Sequence, residues 1–164
     1  MADPIFIVDG MLGNLARWLR ILGYDTMYCP LSDDIILEKA YSEGRILLTK
    51  DKALFRSAVR KGVKSILIDG ENIADILLNI ALTLNIRVKP QKTSRCPICN
   101  GYLNEVGSNN IRNLVPKNIL SKNSIFWICR SCGKVYWHGS HWRLITSTLS
   151  RVDKMIKNVN KAEI

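Results

Sequence analysis

Acidic residues are scarce at one end of this chain. Residues 93–164 hold 3 Asp and Glu against 11 Lys and Arg, whereas residues 1–92 hold 11 against 13. So basic an end attracts polyanions, because each cation that neutralises a phosphate releases counterions. Long apolar runs are missing too. No stretch of about 18 uninterrupted apolar residues occurs, and the opening MADPIFIVDG carries an acid where a signal peptide carries positive charge. The expectation is a cytoplasmic protein with no membrane partner. Neither G-x-x-x-x-G-K-[ST] nor G-x-G-x-x-G is present, which removes most support for a nucleotide cofactor. No internal repeat or low-complexity segment interrupts the chain, and cysteines number only 5.

What is present has two parts. With 164 residues, 47% of them apolar, the chain can bury a core of about 100 residues and a small appended module. PIFIVD reads as a strand ending at Asp9, and LGNLARWLRILG places Leu12, Leu15, Ala16, Leu19 and Leu22 on one helical face before Gly23. YDTMYC predicts a second strand. Ser32, Asp33 and Asp34 open a helix that stops at Gly44, RILLT predicts a third strand, and Asp51 opens a helix closed by Gly62. KSILID, ending at Asp69, and NIADILLNIALTLN complete four strand and helix pairs, with IRVK as a short edge strand. Such alternation predicts the α/β class, a parallel sheet flanked by helices in an α/β/α arrangement.

In open sheets of this kind, sites form beyond the carboxyl ends of the strands, where Asp9, Asp33, Asp34, Asp51 and Asp69 are expected. Asp33, Asp34 and Asp51 also suit helix capping, worth about 1 kcal/mol each, and Asp69 before Gly70 also suits a turn. Asp9 is harder to explain that way. An acid between IFIV and GML needs a cation or hydrogen-bond donors to offset its desolvation. Carboxylates converging at one rim are usually offset by Mg²⁺ or Mn²⁺, hard ions able to activate water and stabilise the leaving oxygen of a phosphodiester.

Four of the cysteines form two matched knuckles, CPIC (Cys96, Cys99) and CRSC (Cys129, Cys132), separated by 29 residues. Four thiolates have the number and softness of a closed, tetrahedral structural Zn²⁺ site, with hairpin strands and a loop expected in the gap. Disulfides are the alternative, disfavoured in a reducing compartment. Cys29 reads as a small buried residue. His138 and His141 lie in YWHGSHW between Trp137 and Trp142, which suits a surface where rings stack on unpaired bases, or equally a ribbon core closed by one of the tryptophans. Trp142, Ile145, Leu149, Val152, Ile156 and Val159 recur at helical spacing, predicting a terminal amphipathic helix that docks on the body or on a second chain.

FIVDGMLGNLARWLRILGYDT, then DD before EGRILLTKD, then CPIC and CRSCGKVYWHGSHW, resemble the Mut7-C RNase family, a branch of the PIN-like nucleases with a zinc ribbon after the nuclease core. The likeness spans about residues 5 to 146. It implies a PIN-like core over residues 1–90, a zinc ribbon and terminal helix over 91–164, an acidic site for a divalent metal, and RNA as substrate and partner. By the resemblance, Asp9, Asp34 and Asp51 are the catalytic, metal-binding acids. Asp33, Glu38 and Asp69 compete for a fourth position. Lys50 stands where the family often shows Arg, which keeps the charge but not the planar, bidentate donor. Arg17 and Arg20, three apart in the shared motif and off the apolar stripe, are expected to meet phosphates, together with Lys50.

The function expected is that of a Mg²⁺- or Mn²⁺-dependent ribonuclease whose basic zinc ribbon assists RNA binding through Trp137, His138, His141 and Trp142. The alternative is a non-catalytic RNA-binding module acting in RNA processing or ribosome assembly.

Overall fold

Alternation along two strands sorts the core into two layers. Phe6 and Val8 of β1 (Phe6–Asp9) and Leu48 of β3 (Ile46–Thr49) face one side of a sheet, and Ile7 and Leu47 face the other. All five are buried, as a parallel sheet covered on both faces requires. The strand order is β2 (Thr26–Cys29), β1, β3, β4 (Ser65–Leu67), each neighbouring pair parallel. Helices α1 (Gly13–Ile21) and α4 (Ile73–Leu84) pack on the Phe6 side, α2 (Asp33–Glu43) and α3 (Lys52–Arg60) on the Ile7 side. These are the four strand and helix pairs expected from periodicity. The structure is a computed structural model and describes residues 3–90 and 94–162.

IRVK does not add a strand. The Tyr24 hydroxyl accepts from Arg87 N at 3.0 Å and donates to Arg87 O at 2.9 Å, so one side chain takes the groups a ladder would use. Val88 beside it is buried in the larger core.

After residue 94 the pattern becomes antiparallel. β5 (Leu103–Gly107), β6 (Ile125–Cys129) and β7 (Val135–Tyr136) form a three-stranded sheet in that order, with a short helix α5 (Lys117–Leu120) in the connection between β5 and β6. Its buried apolar cluster holds only Ile111, Val115 and Phe126, with partly buried neighbours around them. A core so small does not hold a sheet by burial alone, which puts weight on the cysteines.

The chain then returns. α6 (Ser140–Ala162), about 35 Å long at 1.5 Å per residue, buries Leu149 and Val152 in the same cluster as Phe6, Val8 and Leu77 and lies against α4. The terminal helix therefore docks on the body and completes one layer of the first unit. Leu149→Ala should destabilise the protein by about 2–5 kcal/mol, read as a lower urea midpoint, because Leu149 is 3% exposed.

Candidate active site and metal centre

Asp9 is the last residue of β1 and is 5% exposed. Donors, rather than solvent, offset its burial. Met11 N–H donates to Asp9 Oδ1 at 3.0 Å, and the Thr49 hydroxyl donates to Asp9 Oδ2. Thr49 ends β3, one step past the parallel pair Val8 and Leu48, so register alone sets it beside Asp9. Its oxygen also accepts from Asp51 N at 2.9 Å. One hydroxyl thus links the two acids at the carboxyl ends of adjacent strands. Asp51 caps α3: its Oδ1 accepts from Ala53 N at 2.6 Å and Leu54 N at 3.1 Å, and its Oδ2 has no hydrogen-bond partner among the described residues.

Among the described residues no other acid joins this pair in a group of three placed to hold one ion. Asp34, with 94% of its side chain exposed, is 3.6 Å from Lys61, just past the end of α3 opposite to Asp51. Asp33 and Glu38 are exposed along α2. Asp69 accepts from Gly70 N at 2.8 Å, the turn chemistry weighed for it, while Lys50 Nζ donates to Gly70 O at 2.9 Å. Among the described residues, Cys96, Cys99, Cys129 and Cys132 form the one group of three or more Cys, His, Asp or Glu placed to hold a single ion.

Those four sulfurs lie within 4.8 Å of one another. Cys96 and Cys132 are 3.7 Å apart, Cys99 and Cys129 3.4 Å. Burial opposes ionisation of Cys129, but the backbone N–H groups of Cys132 and Ser131, together with the side chains of Cys99 and Cys132, outweigh it and hold its thiol down to about 6. At Cys99 the Gly101 N–H favours the thiolate, yet burial and three neighbouring sulfurs push it up to about 12. Four thiols crowded together cannot all ionise without a cation between them, and a divalent ion relieves that repulsion. The cluster supports one structural zinc.

Arg20 departs from expectation. It is 7% exposed, and its guanidinium donates to Thr26 O at 2.9 Å and to Pro97 O and Ile98 O, both at 3.0 Å. Rather than facing phosphate it ties the first cysteine knuckle to the start of β2. Asp25 strengthens the same seam: it accepts from Arg45 at 2.8 Å and Asn100 at 2.9 Å, and pairs with Arg95 at 3.5 Å. Burial would raise its pKa, but the bonds from Arg45 and Asn100 hold the carboxyl below the ordinary range. That contribution is present above the ordinary Asp value near 3.9 and is lost as pH falls through the lower folded value. The knuckle therefore docks at the amino edge of the sheet and the acids sit at its carboxyl edge. Four residues of strand, about 13 Å at 3.3 Å each, separate the two.

Arg17 is exposed on α1. In the ribbon, the His138 ring stacks on Trp142 at 4.4 Å and 11° and lies 4.5 Å from Trp127, tilted by 32°. Burial lowers the His138 pKa. Trp137 and Trp142 are partly buried and His141 is exposed, so the aromatic run is both a surface and a seam.

Sequence reasoning missed Thr49, whose signal was a hydroxyl in LLTKD at the end of the strand next to Asp9. It also missed Lys52, Arg56 and Arg60, exposed at spacings of four along the helix that Asp51 starts. None of the three joins an ion pair among the described residues.

A parallel α/β body with a four-cysteine ribbon at one edge and a linked pair of aspartates at the other defines the class of this protein. The family model described as the Mut7-C RNAse domain matches residues 4–149, and the chain belongs to that family. Membership suggests a nuclease-type function with RNA as substrate, joined here to a metal site of four cysteines. No curated protein and no solved structure matches the chain. Among the described residues no helix is long and apolar enough to cross a membrane.

Proposed function

We propose that this protein is a metal-dependent ribonuclease that hydrolyses RNA phosphodiester bonds at Asp9 and Asp51. The observation that carries the reading is the Thr49 hydroxyl, which donates to buried Asp9 and accepts from Asp51 N. Two donors offset the burial of Asp9 and fix its orientation, while each of its oxygens retains a lone pair that a cation can use. With the free Oδ2 of Asp51 these are hard oxygen ligands, and Mg²⁺ commonly takes one or two carboxylates, several waters and substrate phosphate. A bound Mg²⁺ or Mn²⁺ supplies charge neutralisation on the phosphate and a more acidic water.

The chain's own side chains do the remaining work. Thr49 fixes the rotamer of Asp9 and the start of α3. Lys52, Arg56 and Arg60 form a cationic edge leading away from Asp51, Lys50 adds charge just past the end of β3, and exposed Arg17 of α1 supplies a further cation for the RNA backbone. The basic ribbon holds more distant nucleotides through Trp137, His138, His141 and Trp142.

Labelled RNA incubated with zinc-loaded protein should be cut only when Mg²⁺ or Mn²⁺ is added. The second reading, an RNA-binding module that does not cut, draws on Asp34, whose exposed carboxylate pairs with Lys61. It prevails if RNA is bound but stays intact at every Mg²⁺ and Mn²⁺ concentration.

A further inference from the structure

A cleft of about 610 Å³ opens between the ribbon sheet, the start of α6 and the end of α1. That volume falls in the range of small-ligand sites, about 300–1,000 Å³. Aromatic rings make up much of its lining, with Trp127, Tyr136, Trp137, His138 and Trp142 beside apolar residues, and its two charged members are Arg95, already paired with Asp25, and Glu105. Glu105, Trp127 and Tyr136 stand opposite one another across β5, β6 and β7, so they project from one face of the sheet and form the floor. The His138 ring stacks on Trp142 and lies 4.5 Å from Trp127, so these three rings form one continuous aromatic wall.

Glu105 is the odd member. Residues 93–164 contain 3 acids, and one of them lies exposed in this cleft with no ion-pair partner among the described residues. A carboxylate there repels phosphate, so it does not serve the RNA backbone. It is acceptor-only, and what it can hold is an edge of adjacent N–H donors. Among the bases, guanine offers two side by side, N1–H and N2–H, matching the two carboxylate oxygens. Adenine and cytosine offer an amine beside a ring acceptor, and uracil one N–H between two carbonyls. Unpaired bases are read on this edge while their faces stack on aromatic side chains.

We infer that the cleft is a recognition pocket for an unpaired guanine of a bound RNA strand, with Glu105 as the residue that selects it. The inference rests on the reading that the ribbon meets RNA, and names the base it takes. Because the cleft adjoins Pro97 and Ile21, at the amino edge of the sheet, the guanine is held away from the Asp9 edge and serves as an anchor rather than as the cleaved nucleotide.

The test uses the full zinc-loaded chain without added Mg²⁺ or Mn²⁺, so that nothing is cut. Tryptophan fluorescence is titrated with a short oligouridylate carrying one central guanine, inosine or adenine, or none. A bidentate base contact discriminates by roughly tenfold or more, so the guanine oligomer should bind about ten times tighter than the all-uridine one, with inosine between. Glu105→Gln should bring that ratio close to one while all-uridine binding holds or improves, since a repulsive charge is gone. Equal binding of all four by wild type overturns the proposal, as does a guanine preference that survives Glu105→Gln. Cleavage with Mg²⁺ is measured separately. A nuclease without base preference sinks the pocket alone, and a guanine-selective protein that never cuts sinks the ribonuclease reading alone.

Discussion

Asp9→Asn should lower RNA cleavage at least about 10²-fold, because charge stabilisation by a catalytic metal amounts to several kcal/mol, while RNA binding stays within a few-fold of wild type. The substitution is nearly isosteric. Asparagine still accepts from Met11 N–H, and the Thr49 hydroxyl can turn to accept from the new amide, so the loss in stability should be near 1 kcal/mol. A large loss of activity with the fold intact separates chemistry from scaffolding. Thr49→Val gives the complementary result. It keeps the shape of a fully buried side chain and removes the hydroxyl that orients Asp9 and receives Asp51 N–H. Activity or metal affinity should drop about 10- to 100-fold, as for other groups that orient metal ligands, and excess Mn²⁺ should restore part of it. Asp34→Asn should cut within a few-fold of wild type, since its carboxylate pairs with Lys61 in solvent. If Asp9→Asn cuts as fast as wild type, the acidic pair is not the reacting centre.

Stripping the zinc should have the largest effect on folding. Structural zinc contributes about 10–16 kcal/mol in zinc-finger peptides at neutral pH, as much as a whole domain's stability of about 5–15 kcal/mol. The ribbon has little to set against that loss, since its buried cluster is Ile111, Val115 and Phe126. Amides of β5, β6 and β7 should lose hydrogen-exchange protection when zinc is removed, while those of β1 and β3 remain slow. The body should still weaken, because Arg20 loses the carbonyls of Pro97 and Ile98 and a buried guanidinium is left short of partners. Metal analysis should give one zinc per chain, released as pH falls because protons compete for the thiolates. Ribbon amides that stay protected in the metal-free protein would show that the sulfur cluster is not what holds the sheet.

Much of this was legible in the residues. The two-residue period of FIVD and ILLT assigns each side chain to a layer, because successive Cβ atoms alternate across a strand. The C-x₂-C pairs announced a closed metal site because thiolate chemistry depends on ligand number and softness more than on the loop between them. Asp9 stood out because its neighbours are apolar. Arg20 was misjudged for a physical reason. It lies off the apolar stripe of α1, as a solvated arginine does, and nothing local says that a knuckle 77 residues later brings carbonyl oxygens to it.

By itself, then, the order of residues determined the four strand and helix pairs of the body, which of their faces are apolar and which sulfurs can share an ion, since these follow from backbone period and ligand chemistry within short spans, whereas IRVK, whose ladder groups Tyr24 takes, did not follow from its pattern. Only the tertiary structure decided that Thr49 joins Asp9 to Asp51, that Asp34 turns to Lys61, and that the ribbon docks at the edge opposite the acids. The reason is that distances between residues far apart along the chain are set by strand order and packing, to which a local pattern is blind.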